Sequence, residues 1–115
     1  MHELSLAANM LEQIAPLVKN KTELKKVHVT IGPLAGVHAE SLEFGFTELA
    51  KADGYTDVAL IINKKSASLR CDDCNKIYET DRFDCGCPLC GSIQRTIISG
   101  REFTLDSIEV EEDDV

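Results

Sequence analysis

The chain has no tryptophan and few aromatics of any kind, with two tyrosines and four phenylalanines in 115 residues. Any core built from it is mostly aliphatic. No apolar run approaches the ~20 residues that a membrane-spanning helix needs, which excludes integral-membrane functions. The opening Met1-His2-Glu3-Leu4 lacks the basic start and long apolar stretch of a secretory signal, so the expected compartment is the cytoplasm. Positive charge is also scarce. Twelve lysines and arginines stand against 20 acidic residues, a formal net charge of −8, and the basic residues cluster no further than Lys25-Lys26 and Lys64-Lys65. Affinity for DNA and RNA comes largely from neutralised phosphates. Neither nucleic acid nor a membrane is therefore an expected partner, whereas cations or a basic protein surface suit this balance.

The length fits one ordinary domain, or a small lobe plus a metal-stapled module. Hydrophobic residues at 43% and charged residues at 28% describe a folded chain. Leu4, Leu11 and Val18 recur every seven residues, with Ala8, Ile14 and Leu17 on the same broad face, and predict a helix over 4–20. Pro16 is discordant there: it removes a hydrogen bond and crowds the carbonyl four back, so a kink or early end is expected. Val27, Val29 and Ile31 alternate with His28 and Thr30 as a strand ended by Gly32-Pro33. His28, on its polar face, reads as a surface residue. Ala39, Leu42, Phe46 and Leu49 predict a second helix over 39–52, stopped at Gly54. Val58 to Ile62 is apolar on both faces and reads as a central strand. Ser66 to Arg70 continues it or pairs beside it. Ile93 to Ser99 and Phe103 to Val110 are strand candidates around Gly100, and the acidic end from Glu109 is a solvated tail.

The expected fold class is α+β: a small mixed or antiparallel sheet with two helices, plus an inserted zinc-ribbon-like module of four cysteines. The expected domains are 1–69 plus 100–115, and 70–99.

All five cysteines lie between positions 71 and 90. Cys71-Asp-Asp-Cys74 and Cys87-Pro-Leu-Cys90-Gly91 are two pairs with two-residue gaps. Each gap lets both thiolates of a pair face one ion within a tight turn, and two pairs complete a tetrahedral site. Zinc is the default ion, and the site is structural because four protein ligands leave no vacancy. Gly91 suits the reversal after the second pair. The stretch between the pairs is expected to need the metal to fold. Cys85 is the odd thiol, either free beside the metal or a spare ligand. The same ligand set also occurs with iron in rubredoxin-like electron carriers.

At the other end, a free α-amine, the following amide nitrogens and the His2 imidazole can lie in one plane, an array that Ni(II) or Cu(II) favours. Taken alone, His2 is better explained as a solvated side chain. The start Met1-His2-Glu3-Leu4-Ser5-Leu6-Ala7, the strand end Ile31-Gly32, the segment Ser41-Leu42-Glu43-Phe44-Gly45-Phe46 and the two cysteine pairs together resemble the HypA/HybF family of hydrogenase nickel incorporation proteins, over essentially the whole chain. The resemblance implies a nickel metallochaperone rather than an enzyme. It implies a nickel site at Met1, His2 and Glu3, where Glu3 can serve through its backbone nitrogen, and a further ligand from His38 or Glu40. It implies structural Zn(2+) on Cys71, Cys74, Cys87 and Cys90, which assigns nickel to domain 1–69 plus 100–115 and zinc to 70–99. The implied partners are a HypB-like nickel-insertion GTPase and the [NiFe]-hydrogenase large subunit, with a homodimer left open. Cys85 departs from the family pattern. The rival readings are a zinc-ribbon interaction adaptor without transferable metal, a nucleic-acid-binding ribbon and the iron carrier. No nucleophile elbow or phosphate-cradling glycine motif is present.

Overall fold

The computed structural model describes residues 2–111. In chain order they form helix α1 (His2–Ile14), 3-10 turns at Ala15–Leu17 and Lys21–Glu23, strand β1 (Leu24–Ile31), helix α2 (Ala39–Ala52), and strands β2 (Ala59–Lys64), β3 (Ala67–Cys71), β4 (Ile77–Thr80), β5 (Arg95–Ser99) and β6 (Phe103–Val110). The class is α+β, with two helices and two three-stranded sheets. The chain divides into two compact units. One holds the residues up to Val29, Val37–Asn63 and those from Thr104 on; the other holds Thr30–Gly36 and Lys64–Phe103. Beside the expected 70–99 module, the second unit starts at Lys64, ends at Phe103 and takes in Thr30–Gly36.

In the first unit, α1 ends at Ile14, well short of residue 20. Pro16 falls in the first positions of the 3-10 turn that follows, where its missing N–H leaves no bond unmade. The buried face of α1 is Ala7, Met10, Leu11 and Ile14. This corrects the sevenfold stripe: Leu4 is 40% and Leu17 65% exposed. Residues 17 and 18 lie beyond the helix, so the repeat has no third member to fix its face.

Helix α2 spans the expected residues and buries Leu42, Gly45, Phe46 and Ala50. Its end is closed by Gly54 at φ +93°. There the Gly54 N–H bonds the Lys51 carbonyl and the Tyr55 N–H bonds that of Ala50, the paired closure that a left-handed residue permits. α1 and α2 pack together. Gly45 lets them approach, since a Cβ there would stand 3.0 Å from Leu4 Cδ1.

The sheet of this unit has the order β2-β1-β6. Val27 and Val29 of β1 are fully buried, as the central position demands. The run Val58 to Ile62 is therefore not a central strand. It forms β2 at an edge, where Leu60 is buried and Ile61 is 41% exposed. Apolar residues on both faces do not distinguish centre from edge when a second strand competes for the middle. His28 of β1 pairs with the Glu109 carboxylate of β6.

In the second unit β3 lies between β4 and β5, antiparallel to both, with Leu69 opposite Tyr78 on one side and Ile97 on the other. Strand β5 starts at Arg95 rather than Ile93. β4 was not expected, although Ile77-Tyr78-Glu79-Thr80 alternates and sends Tyr78 inward. The core is Ala67, Leu69, Cys71, Tyr78 and Cys87, with Leu34, Phe83 and Ile97 against it. The 30–36 segment joins this unit through Gly32 and Leu34, whose N–H groups bond the Glu102 and Gly100 carbonyls. A Cβ on Gly32 would stand 2.2 Å from the Gly100 oxygen. No helix among the described residues is long and apolar enough to cross a membrane.

Candidate metal centre

The two cysteine pairs sit on two loops built alike. In the first, the Asn75 N–H bonds the Cys71 carbonyl at 2.8 Å and the Cys71 N–H bonds the Lys76 carbonyl at 2.9 Å. In the second, the Gly91 N–H bonds the Cys87 carbonyl at 2.7 Å and the Cys87 N–H bonds that of Ser92 at 2.9 Å. Each loop turns on a left-handed residue directly after its second cysteine, Asn75 at φ +63° and Gly91 at φ +78°. Gly91 was legible in the sequence. Asn75 is its counterpart, and asparagine is among the few residues that tolerate this conformation. Hydrogen bonds fasten the loops further: Thr96 Oγ1 to Asp72, and Ser92 Oγ to Asp73.

These loops bring Cys71, Cys74, Cys87 and Cys90 together with all four sulfurs within 4.8 Å of one another. Close approaches join the two pairs, Cys71 to Cys90 at 3.5 Å and Cys74 to Cys87 at 3.7 Å. A disulfide would require ~2.05 Å. Four thiolates at ~2.3 Å from a central ion stand about 3.8 Å apart by tetrahedral geometry. The spacing thus fits a metal cage, and the all-sulfur donor set suits a soft or borderline ion. Charge leads the same way. Burial pushes the Cys87 thiol up, but the N–H groups of Cys90 and Leu89 and the neighbouring thiols bring it down to about 7. The Ser92 N–H favours the Cys90 thiolate, yet the adjacent thiols, Cys71 first, push it up to about 12. Protein donors alone therefore push the Cys87 and Cys90 thiols in opposite directions, and a cation that favours both thiolates removes the conflict. Cys85 is exposed and stands outside the cage, with its sulfur toward Asp84.

The candidate residues near the chain start fall in the first unit. Met1 lies outside the described residues. His2 is the exposed first residue of α1. The carboxylate of Glu3 accepts the His38 N–H at 3.2 Å. That bond and the N–H of Glu3 itself hold its carboxyl below the ordinary 4.5. The His38 ring caps α2: its Nδ1 accepts the Ser41 N–H at 3.3 Å and meets Ser41 Oγ at 2.7 Å. Glu3, His38 and Glu40 line one groove with Leu4, Ser41, Phe44 and Gly45. Sequence reasoning gave neither the Glu3–His38 link nor the cap. A histidine directly before a helix beginning Ala-Glu-Ser was the available sign of the cap, whereas a contact across 35 positions left none.

A two-unit α+β chain with a closed four-cysteine cage is a metal-binding protein. The comparisons with known proteins give the family. Residues 1–110 match the family model described as HypA, hydrogenase/urease nickel incorporation, metallochaperone. The hydrogenase maturation factor HypA of Moorella thermoacetica is 37% identical over 113 residues, covering 96% of this chain and all of that protein. That of Aquifex aeolicus is 34% identical over 115 residues, covering 98% and 100%. Among solved structures, a HypA solution structure aligns with a TM-score of 0.62 at 24% identity, covering 96% of this chain and 97% of that one. The Ni metallochaperone HypA from Helicobacter pylori aligns at 0.56 and 22% identity, covering 94% and 96%. The fold is shared with both. The chain belongs to the HypA family of hydrogenase nickel incorporation metallochaperones.

Proposed function

We propose that this protein is a cytoplasmic nickel carrier without catalytic activity. It takes up Ni(II) at its leading residues and passes it, with a HypB-like GTPase, to the large subunit of a [NiFe]-hydrogenase. Residues up to 69 and from 100 on serve nickel, and the four-cysteine module keeps its ion. The observation that carries the reading is family membership together with His2 and Glu3 in the first turn of α1. The first N–H groups of a helix lack an intrahelical acceptor, so the amide nitrogens of His2 and Glu3, the latter held only by its own carboxylate, can lose their protons and serve as donors with the His2 imidazole and the Met1 α-amine. In this reading Glu3 contributes its nitrogen, while its carboxylate accepts the His38 N–H.

For a further ligand Glu40 is favoured over His38, because the His38 Nδ1 is taken up by the Ser41 N–H and hydroxyl in capping α2. Ni(II) at such a terminal nitrogen site is exchangeable cargo, while the closed cage holds Zn(2+) as structure, its four thiolates supplying all the ligands that ion needs. The cage residues themselves only bind, orient and exclude water. Nickel titration of the intact protein against a form with one added N-terminal residue tests the site, since the extension displaces the α-amine and keeps every side chain. The extended form and His2→Ala are expected to lose tight nickel binding while retaining zinc. Unchanged nickel affinity in both would refute the site. Metal analysis of the cage distinguishes colourless zinc from red iron.

A further inference from the structure

The α1–α2 side has two groove segments, the first of them beside the nickel candidates. Its first segment, about 460 Å³, includes Leu4 on α1 with Ser41, Phe44 and Gly45 on α2. A second segment, about 330 Å³, includes Ala8 and Ala15 on the α1 side with Leu49 and Ala52 on the α2 side. Positions 4, 8, 11 and 15, and positions 41, 45, 49 and 52, are each one stripe at three- and four-residue spacing. The two segments therefore lie in line on one side of the helix pair, spanning roughly 16 Å from Leu4 to Ala15, and an occupant laid along that side covers both as one channel. Its floor is small and apolar, and Leu4 at 40% and Phe44 at 70% exposure stand open at its upper end.

The charge along this channel has one sign. Glu3 and Glu40 border the first segment and Glu12 and Asp53 the second, and neither lining contains a lysine or arginine. Lys21 is directed to the backbone carbonyl of Asp53, and Lys51, in the last turn of α2, is not part of the lining. An anionic membrane surface is repelled by such a rim. A second copy of this chain, itself at −8, is a poor complement.

We infer that the α1–α2 channel receives a cationic amphipathic helix of a protein partner, its apolar side chains on the Leu4–Ala15 floor and its lysines or arginines on the four carboxylates. Three turns fill the channel, and small floor residues allow the close helix-in-groove approach this mode of recognition uses. The bound helix ends over Glu3 and Glu40, beside the proposed nickel seat. In this respect the inference rests on the carrier reading: the surface that recognises the partner also brings it to the cargo. Docking itself does not require nickel.

The test uses full-length, zinc-loaded protein and a labelled synthetic peptide of about 14 residues, with leucines at i, i+3/i+4, i+7 and lysines elsewhere. Fluorescence anisotropy is expected to show saturable binding that weakens with added salt. A glutamate-for-lysine analogue should bind about tenfold more weakly or worse. A same-composition peptide without the amphipathic order should also bind more weakly, and amide shifts should concentrate at Leu4, Ala8, Gly45 and Leu49. Ala8→Lys, at an exposed helical position where lysine is a good helix former, should abolish peptide binding with unchanged circular dichroism. Glu12→Lys should weaken it. Equal binding of the lysine and glutamate peptides, indifference to Ala8→Lys, or self-association of the protein abolished by Ala8→Lys would each overturn the inference. Nickel separates the two readings. Ala8→Lys is expected to keep nickel and lose the peptide, and His2→Ala to do the reverse, so one can fail while the other stands.

Discussion

Removing the metal from the four-cysteine cage should unfold the second unit and leave the first. Of the five residues in the second core, Cys71 and Cys87 are themselves candidate ligands, which leaves Ala67, Leu69 and the Tyr78 ring as its remaining apolar content. The Tyr78 hydroxyl is buried with no hydrogen-bond partner among the described residues, a cost of about 1–3 kcal/mol. A module of this size seldom folds alone without a metal or disulfide. Structural zinc supplies roughly 10–16 kcal/mol apparent at neutral pH, as large as the ~5–15 kcal/mol that stabilises a whole domain. The core of the first unit contains Ile14, Leu24, Val27, Val29, Leu42 and Phe46 and no cysteine. Amide exchange before and after chelation should therefore show protection lost across β3, β4 and β5 and kept in α1, α2 and β1. Cys74→Ser isolates ligation from packing: Cys74 is exposed, so its loss removes a ligand and almost no core volume. It should reproduce chelation in part, whereas Cys85→Ser should change neither protection nor metal content. Persistent protection of β3–β5 without metal, or joint loss in both units, would refute the reasoning.

Two further outcomes follow from the first unit. His38→Ala removes the α2 cap and should cost about 0.5–2 kcal/mol in chemical denaturation, whereas His38→Asn, itself a good cap, should restore most of it. Retained nickel affinity in His38→Asn would support the positioning role, and its loss would make the imidazole a ligand. In the second, His28 and, more weakly, Lys26 hold the Glu109 carboxyl below the ordinary 4.5, against burial. The folded value is the lower one, so this pair stabilises fully above 4.5 and its contribution disappears as pH falls through that lower value. Both partners are solvent-accessible, so the effect is small. Glu109→Gln should flatten that part of the acid stability curve followed by circular dichroism, and an unaltered curve would count against the pair.

Much of the chain was legible beforehand because local chemistry dictated it. The α2 span followed from apolar periodicity and Gly54, the end of α1 near Pro16 from a missing N–H, and the cage from two paired gaps that let neighbouring thiolates share an ion. β4 escaped notice because four alternating residues within a polar, metal-dependent stretch make a weak signal.

The amino-acid order by itself determined the helices, the ligand pairs and the family, since each depends on residues within a few positions or on a pattern carried by the whole string. Which strand took the centre, which face of α1 turned inward, that the Glu3 carboxylate meets the His38 amide, and that four carboxylates border one apolar channel were decided only in three dimensions. Those outcomes come from competition among distant segments for the same buried space, and no local preference encodes the winner.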